Sequence, residues 1–169
     1  MGGNIHFESE EAKGTIFYFN LILEKIIESN KSVNSNKNDN KNDGNRIKIL
    51  AAEDDEIGIA LLKIFFKKQP YDLDVAINGE KAVDLYKKKE YDIILMDIQM
   101  PILDGIETAR IIRSIEIKLK KHTPIIALTG HANETDKENC LNAGMDDFVI
   151  KPYELEDLLY VINKYVLKE

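Results

Sequence analysis

Residues 46–169 predict an α/β fold, a parallel sheet sandwiched between helices. Five apolar runs alternate there with five stretches of helical period, and short right-handed crossovers turn such an alternation into a parallel sheet. The runs are also near-continuous in apolar residues, as in Asp92 to Met96 (DIILM), which suits strands covered on both faces. Polar residues gather at the C-terminal ends of the same runs, where open α/β sheets bind ligands.

Each element has its own signal. Ile47 to Ala52 (IKILAA) reads as a buried strand. A helix over about 56–68 follows, with Ile57, Ala60, Leu61, Ile64 and Phe65 expected inward, and Gln69-Pro70 ends it. Leu73 to Ile77 is a short strand. Asn78 is placed to cap a helix over about 79–89, with Ala82, Val83 and Tyr86 inward. After the Asp92–Met96 strand, Asp104-Gly105 opens a helix to about 120, and Asp104 is its cap. Pro124 to Leu128 is the fourth strand. A helix at about 133–143 ends at Gly144, a residue suited to the position after a helix. Phe148 to Ile150 is the fifth strand, and 154–167 an amphipathic helix.

Ahead of this region the composition changes twice. Residues 1–29 are apolar-rich, and 30–45 form a polar tract with seven Asn and one branched apolar residue, Val33. Such a tract cannot bury enough surface to offset chain entropy, so it is expected to be a disordered linker. The 169-residue chain carries 30 acidic and 23 basic residues, a net charge of −7, which argues against nucleic-acid binding through a basic stripe. One cysteine, Cys140, excludes an intramolecular disulfide. No apolar stretch approaches the roughly 20 residues that a membrane helix needs, and no secretory leader pattern is visible; no membrane insertion and a cytoplasmic location are expected.

The strand ends carry the chemistry. The first ends in Glu53-Asp54-Asp55, the third at Asp97, the fourth at Thr129 and the fifth at Lys151-Pro152. Carboxylates packed together repel unless a cation lies between them, and an all-oxygen donor set selects a hard ion, Mg²⁺ or Mn²⁺. A lysine and a hydroxyl beside them favour an anion as the second occupant. Metal, amine and hydroxyl around one carboxylate suit phosphoryl transfer, where charge neutralisation and positioning supply most of the catalysis. Each residue has a plainer use: Asp54 or Asp55 as a helix cap, Asp97 in a turn before Pro101, Thr129-Gly130 as a strand-to-loop turn, Lys151 as a solvated lysine. Four such coincidences at four eligible strand ends favour a shared site.

At these residues the chain resembles the receiver domain of two-component response regulators. The resemblance covers 46–169 and rests on ILAAEDDEIG (49–58), ILMDIQMPILDG (94–105), PIIALTG (124–130) and AGMDDFVIKPY (143–153), in the right order and spacing. The phrases MDIQMP and AGMDDFVIKP look most like receivers attached to hybrid histidine kinases. The resemblance implies a flavodoxin-like (βα)5 doubly wound sheet of order 2-1-3-4-5. It makes Asp97 the phosphoacceptor and a metal ligand, Asp54 a direct metal ligand, Glu53 a ligand through water, and the Gln99 backbone carbonyl the third protein ligand. Thr129 and Lys151 match the hydroxyl and amine that hold the phosphoryl group, and Lys151-Pro152 would be cis. Phe148 matches the aromatic switch position, which would follow Thr129 inward and repack the surface of the fourth helix, fifth strand and fifth helix. Gly130 would leave room for the phosphoryl group; Gln99 and His131 stand where phosphoryl lifetime is tuned.

Residues 2–23 alternate at period two about Lys13-Gly14, a hairpin signal. They resemble the last hairpin of the histidine-kinase ATP-binding domain, although the family's usual Pro is replaced by Ile22, and the nucleotide-contacting motifs are missing. The plainer alternative is an amphipathic helix over Thr15 to Glu28. The resemblance thus implies the C-terminal end of a hybrid kinase: a kinase-domain remnant (1–29), a linker (30–45) and a receiver (46–169). The expected partners are a histidine kinase or a histidine-phosphotransfer protein. No kinase activity is expected, only phosphoryl acceptance and loss. Two other readings stay open: a stand-alone regulator acting by partner binding, and an Asp-nucleophile phosphatase. Such phosphatases usually carry a second Asp two residues after the first, and here that residue is Gln99.

Overall fold

The computed structural model describes residues 3–10, 14–21, 46–130 and 134–167. Two compact units divide the chain, one over Met1–Lys41 and one over Asn42–Glu169.

In the first unit, β1 (Gly3–Glu10) pairs antiparallel with β2 (Gly14–Leu21), from Gly3 opposite Leu21 to Glu10 opposite Gly14. The hairpin expected from the period-two pattern is present, and Thr15–Leu21 is strand rather than helix. The linker assigned to 30–45 lies outside the described residues.

The second unit contains β3 (Ile47–Ala52), α1 (Glu56–Phe66), β4 (Tyr71–Ala76), α2 (Gly79–Lys88), β5 (Ile93–Asp97), α3 (Gly105–Leu119), β6 (Ile125–Thr129), α4 (Glu134–Asn142), β7 (Asp147–Ile150) and α5 (Leu155–Ile162). A π-helical turn, Asn163–Leu167, continues α5 where the sequence predicts a single helix to 167. All five strands are parallel, in the order β4-β3-β5-β6-β7. Counted within this unit, that is the expected 2-1-3-4-5.

Successive strand residues feed opposite faces, so the central strands are apolar at every position. Leu50, Ile94 and Met96 pack with α2 and α3 residues such as Ala82, Tyr86 and Ile112. Ile49, Ile93 and Leu95 pack with Leu62, Phe66 and Leu158 of α1 and α5. Helix starts are fixed by side-chain caps: Asp55 accepts from the Gly58 N–H (2.8 Å), Asn78 from Lys81 (2.9 Å) and Asp104 from Glu107 (2.8 Å). Gly144 follows α4 with φ of 88°, the left-handed conformation its position requires.

One expectation holds only in part: of the five α1 residues expected inward, Leu61 and Phe65 are partly buried against the core, and the other three are exposed. In α1 the buried residues are Leu62 and Phe66; Ala60 is exposed, and Ile57 and Ile64 are 79% and 68% exposed. The segment EIGIALLKIFF is apolar on nearly every side, so periodicity alone offers two competing faces. The orientation that wins turns Leu62 and Phe66 to the sheet and leaves two isoleucines in solvent.

Candidate functional site

The sheet brings the predicted residues to one rim. Glu53 directly follows β3 and is fully buried, while Asp54 is exposed. Asp55 is occupied as the cap of α1, the plainer reading of that residue. Asp97 ends β5 and is 7% exposed; Thr129 ends β6 and is buried. The peptide bond between Lys151 and Pro152 is cis, as expected. The Lys151 N–H donates to the Thr129 carbonyl (2.7 Å), which ties the start of that turn to β6.

Lys151 Nζ lies between two of the acids. It donates to Glu53 Oε2 (2.7 Å) and to Asp97 Oδ2 (2.8 Å). The second Asp97 oxygen, Oδ1, accepts from the Gln99 N–H (3.2 Å). Burial pulls the Lys151 amine down, but its bonds to Asp97 and Glu53 outweigh that and hold it above its ordinary value. Burial also raises Glu53, against the opposing pull of Lys151.

Glu53, Asp54 and Asp97 each offer a carboxylate oxygen within 4.8 Å of the others. Among the described residues, Glu53 Oε1 is the one buried side-chain oxygen or nitrogen with no hydrogen-bond partner. An acceptor stranded in this way costs free energy unless a cation or its water meets it. The donor set fits a hard divalent ion: oxygen only, three carboxylates, one of them unsatisfied. These residues line a cleft of about 460 Å³ together with Gln99, Gly130 and, on an apolar wall, Ile57 and Leu61. A Cβ on Gly130 would meet nothing within 4 Å, so the rim is open there.

Phe148 is half-buried on β7, with Lys137 Nζ 4.7 Å from its ring centroid. His131 lies outside the described residues. Three contributors escape sequence reasoning. Ile57 forms part of the cleft wall. Gly105 passes so close to Asp97 that a Cβ would sit 2.1 Å from its carbonyl oxygen, and Gly58 abuts Glu53. A glycine inside a helical run is the available signal for Gly58.

Known proteins resemble the chain in sequence and in fold. Residues 49–163 match the family model of the response regulator receiver domain. The hybrid signal transduction histidine kinase I of Dictyostelium discoideum is 44% identical over 126 residues, which are 72% of this chain and 7% of that protein. The receiver domain of a Pseudomonas aeruginosa sensor histidine kinase, solved with a magnesium ion coordinated in the active site cleft, is 33% identical with a TM-score of 0.67, over 73% of this chain and 100% of that one. The receiver domain of a Saccharomyces cerevisiae response regulator, solved with a histidine phosphotransfer signaling protein, is 33% identical with a TM-score of 0.68, over 72% of this chain and 90% of that one. The chain belongs to the receiver domain family of two-component signalling, and it is homologous to the receivers of hybrid histidine kinases. It spans 4–21% of the length of the curated relatives it matches. Alignments with four of them extend over 92–98% of this chain, beyond the receiver into its first 45 residues. Among the described residues, no helix is long and apolar enough to cross a membrane.

Proposed function

We propose that Asp97 accepts a phosphoryl group from a phosphohistidine and that the chain is a phosphorelay receiver from the C-terminal end of a hybrid kinase. The observation that carries this is the Lys151 amine bridging Asp97 and a buried glutamate whose other oxygen is unpartnered. Asp97 attacks phosphorus in line; the P–N bond breaks and its electron pair returns to the imidazole. Lys151 leaves Asp97 to pair with a phosphoryl oxygen, and the Thr129 hydroxyl donates to another. Asp54, Asp97, the Gln99 carbonyl and, through water, Glu53 would hold Mg²⁺, which neutralises phosphoryl charge when bound. Thr129 drawn inward lets Phe148 follow, a two-state element biased by local charge. His131 and the Gln99 side chain set the lifetime.

The partner is a histidine-phosphotransfer protein or a histidine kinase. It docks on the exposed apolar side of α1, because Ile57 lines the same cleft as Asp97 and Ile64 extends that surface. The hairpin β1–β2 is the last piece of a kinase ATP-binding domain. The alignments that run past the receiver support that reading.

The test is incubation with Mg²⁺ and a small phosphodonor, followed by intact-mass measurement. The wild-type chain should gain one phosphoryl group and Asp97→Asn none. An unlabelled wild type, under conditions that label a known receiver, would overturn the proposal.

A further inference from the structure

Gly58 is the third residue of α1 and is half-buried. Glycine inside a helix is unfavourable relative to alanine, and a backbone need for it is absent: among the glycines described, Gly144 is the one with positive φ. The explanation lies across from it. A Cβ at position 58 would lie 2.8 Å from Glu53 Cδ, 3.0 Å from Cγ and 3.0 Å from Oε1. Glu53 has little freedom to retreat, being fully buried with Oε2 bonded to Lys151 at 2.7 Å.

We propose that Gly58 is a positioning residue for the cation site: its missing side chain is the slot that lets Glu53 present Oε1 to the metal's bound water. The inference rests on the proposed reading of the cleft as a Mg²⁺ site. An alanine at 58 pushes the Glu53 carboxylate off its seat while leaving Asp54 and Asp97 in place. Alanine at 53 carries none of the Cγ, Cδ and Oε1 atoms that a Cβ at 58 would meet, so filling the slot displaces nothing in that background.

The experiment is a double-mutant cycle on the full chain, read by isothermal titration with Mg²⁺ alone and by thermal unfolding in EDTA. Gly58→Ala should weaken Mg²⁺ binding about tenfold, the scale of changes to groups that orient metal ligands. Adding Gly58→Ala to Glu53→Ala should cost less than twofold. Equal affinity of Gly58→Ala and wild type overturns the inference, and so does the same loss in both backgrounds. If Gly58→Ala fails to fold, a folded Gly58→Ala/Glu53→Ala protein still supports the slot, whereas two unfolded variants refute it. A wild type that takes up no Mg²⁺ instead removes the metal reading on which the slot depends.

Discussion

Asp54→Asn should stabilise the chain without Mg²⁺ and destabilise it with Mg²⁺. The Asp54 carboxylate is exposed and has an oxygen within 4.8 Å of oxygens on Glu53 and Asp97. At water's dielectric constant each such like-charge pair costs about 0.9 kcal/mol. Physiological salt roughly halves it. Removing both repulsions, less the attraction lost to Lys151, leaves a gain of about 0.5–1 kcal/mol, small as befits exposed charges. For a domain of this size that raises Tm by about 2–4 °C. At a Mg²⁺ concentration 100 times its Kd, wild type gains about 2.7 kcal/mol. A variant binding about 100-fold more weakly gains about 0.4 kcal/mol. The order of stabilities therefore inverts, and the variant becomes about 1.5 kcal/mol the weaker. Thermal unfolding by circular dichroism, in EDTA and in saturating Mg²⁺, reads both signs. A variant less stable than wild type in EDTA, or one that gains as much from Mg²⁺, would refute the reasoning.

Three other outcomes follow from named contacts. Gly105→Ala drives a Cβ to 2.1 Å from the Asp97 carbonyl and 2.9 Å from Ile98 Cα, both backbone; it should cost about 1–3 kcal/mol in urea unfolding and depress phosphodonor labelling. Ile64→Ser removes an exposed side chain from α1. Stability should change by less than about 0.5 kcal/mol and labelling by a small phosphodonor should hold, while transfer from a phosphohistidine protein slows severalfold. Buried Glu116 accepts from Tyr86 Oη and the Thr123 N–H, both at 2.7 Å, and from Arg113. Burial pushes its carboxyl up, but Tyr86, Thr123 and Arg113 outweigh that and hold it below 4.5. The folded chain thus binds fewer protons here than the unfolded one: the stabilisation is present above that ordinary value and lost as pH falls through the folded one. Glu116→Gln should cost about 1.5–3 kcal/mol at neutral pH, and the gap to wild type should narrow in acid denaturation curves.

The sheet was legible because strands buried on two faces have little choice of residue, and Ile93–Met96 and Ile125–Leu128 show it. Caps at Asn78 and Asp104 were legible for a local reason, a side chain reaching three residues on. Strand order was not contained in periodicity; it came through the family resemblance. The same strand-end logic gathered Glu53, Asp97 and Lys151, and it left open which of Asp54 and Asp55 would cap. The structure gives the cap to Asp55. The face of α1 was illegible because too many of its residues are apolar, so tertiary packing decided. Gly58, a glycine inside a helical run, and Gly105 did not reveal their purpose, since a glycine defined by what it makes room for depends on residues 5 and 8 positions away.

Lys151 ties residues 98 and 54 positions earlier in the chain, Glu53 and Asp97. The amine arrives only when β7, the outermost and last strand, has been added to β6. Until then the two acids face each other without their shared counter-charge. Completion of the sheet and closure of the Glu53–Lys151–Asp97 cluster are therefore one event. On the proposed reading, a chain still lacking its final strand would lack the amine that phosphoryl transfer uses.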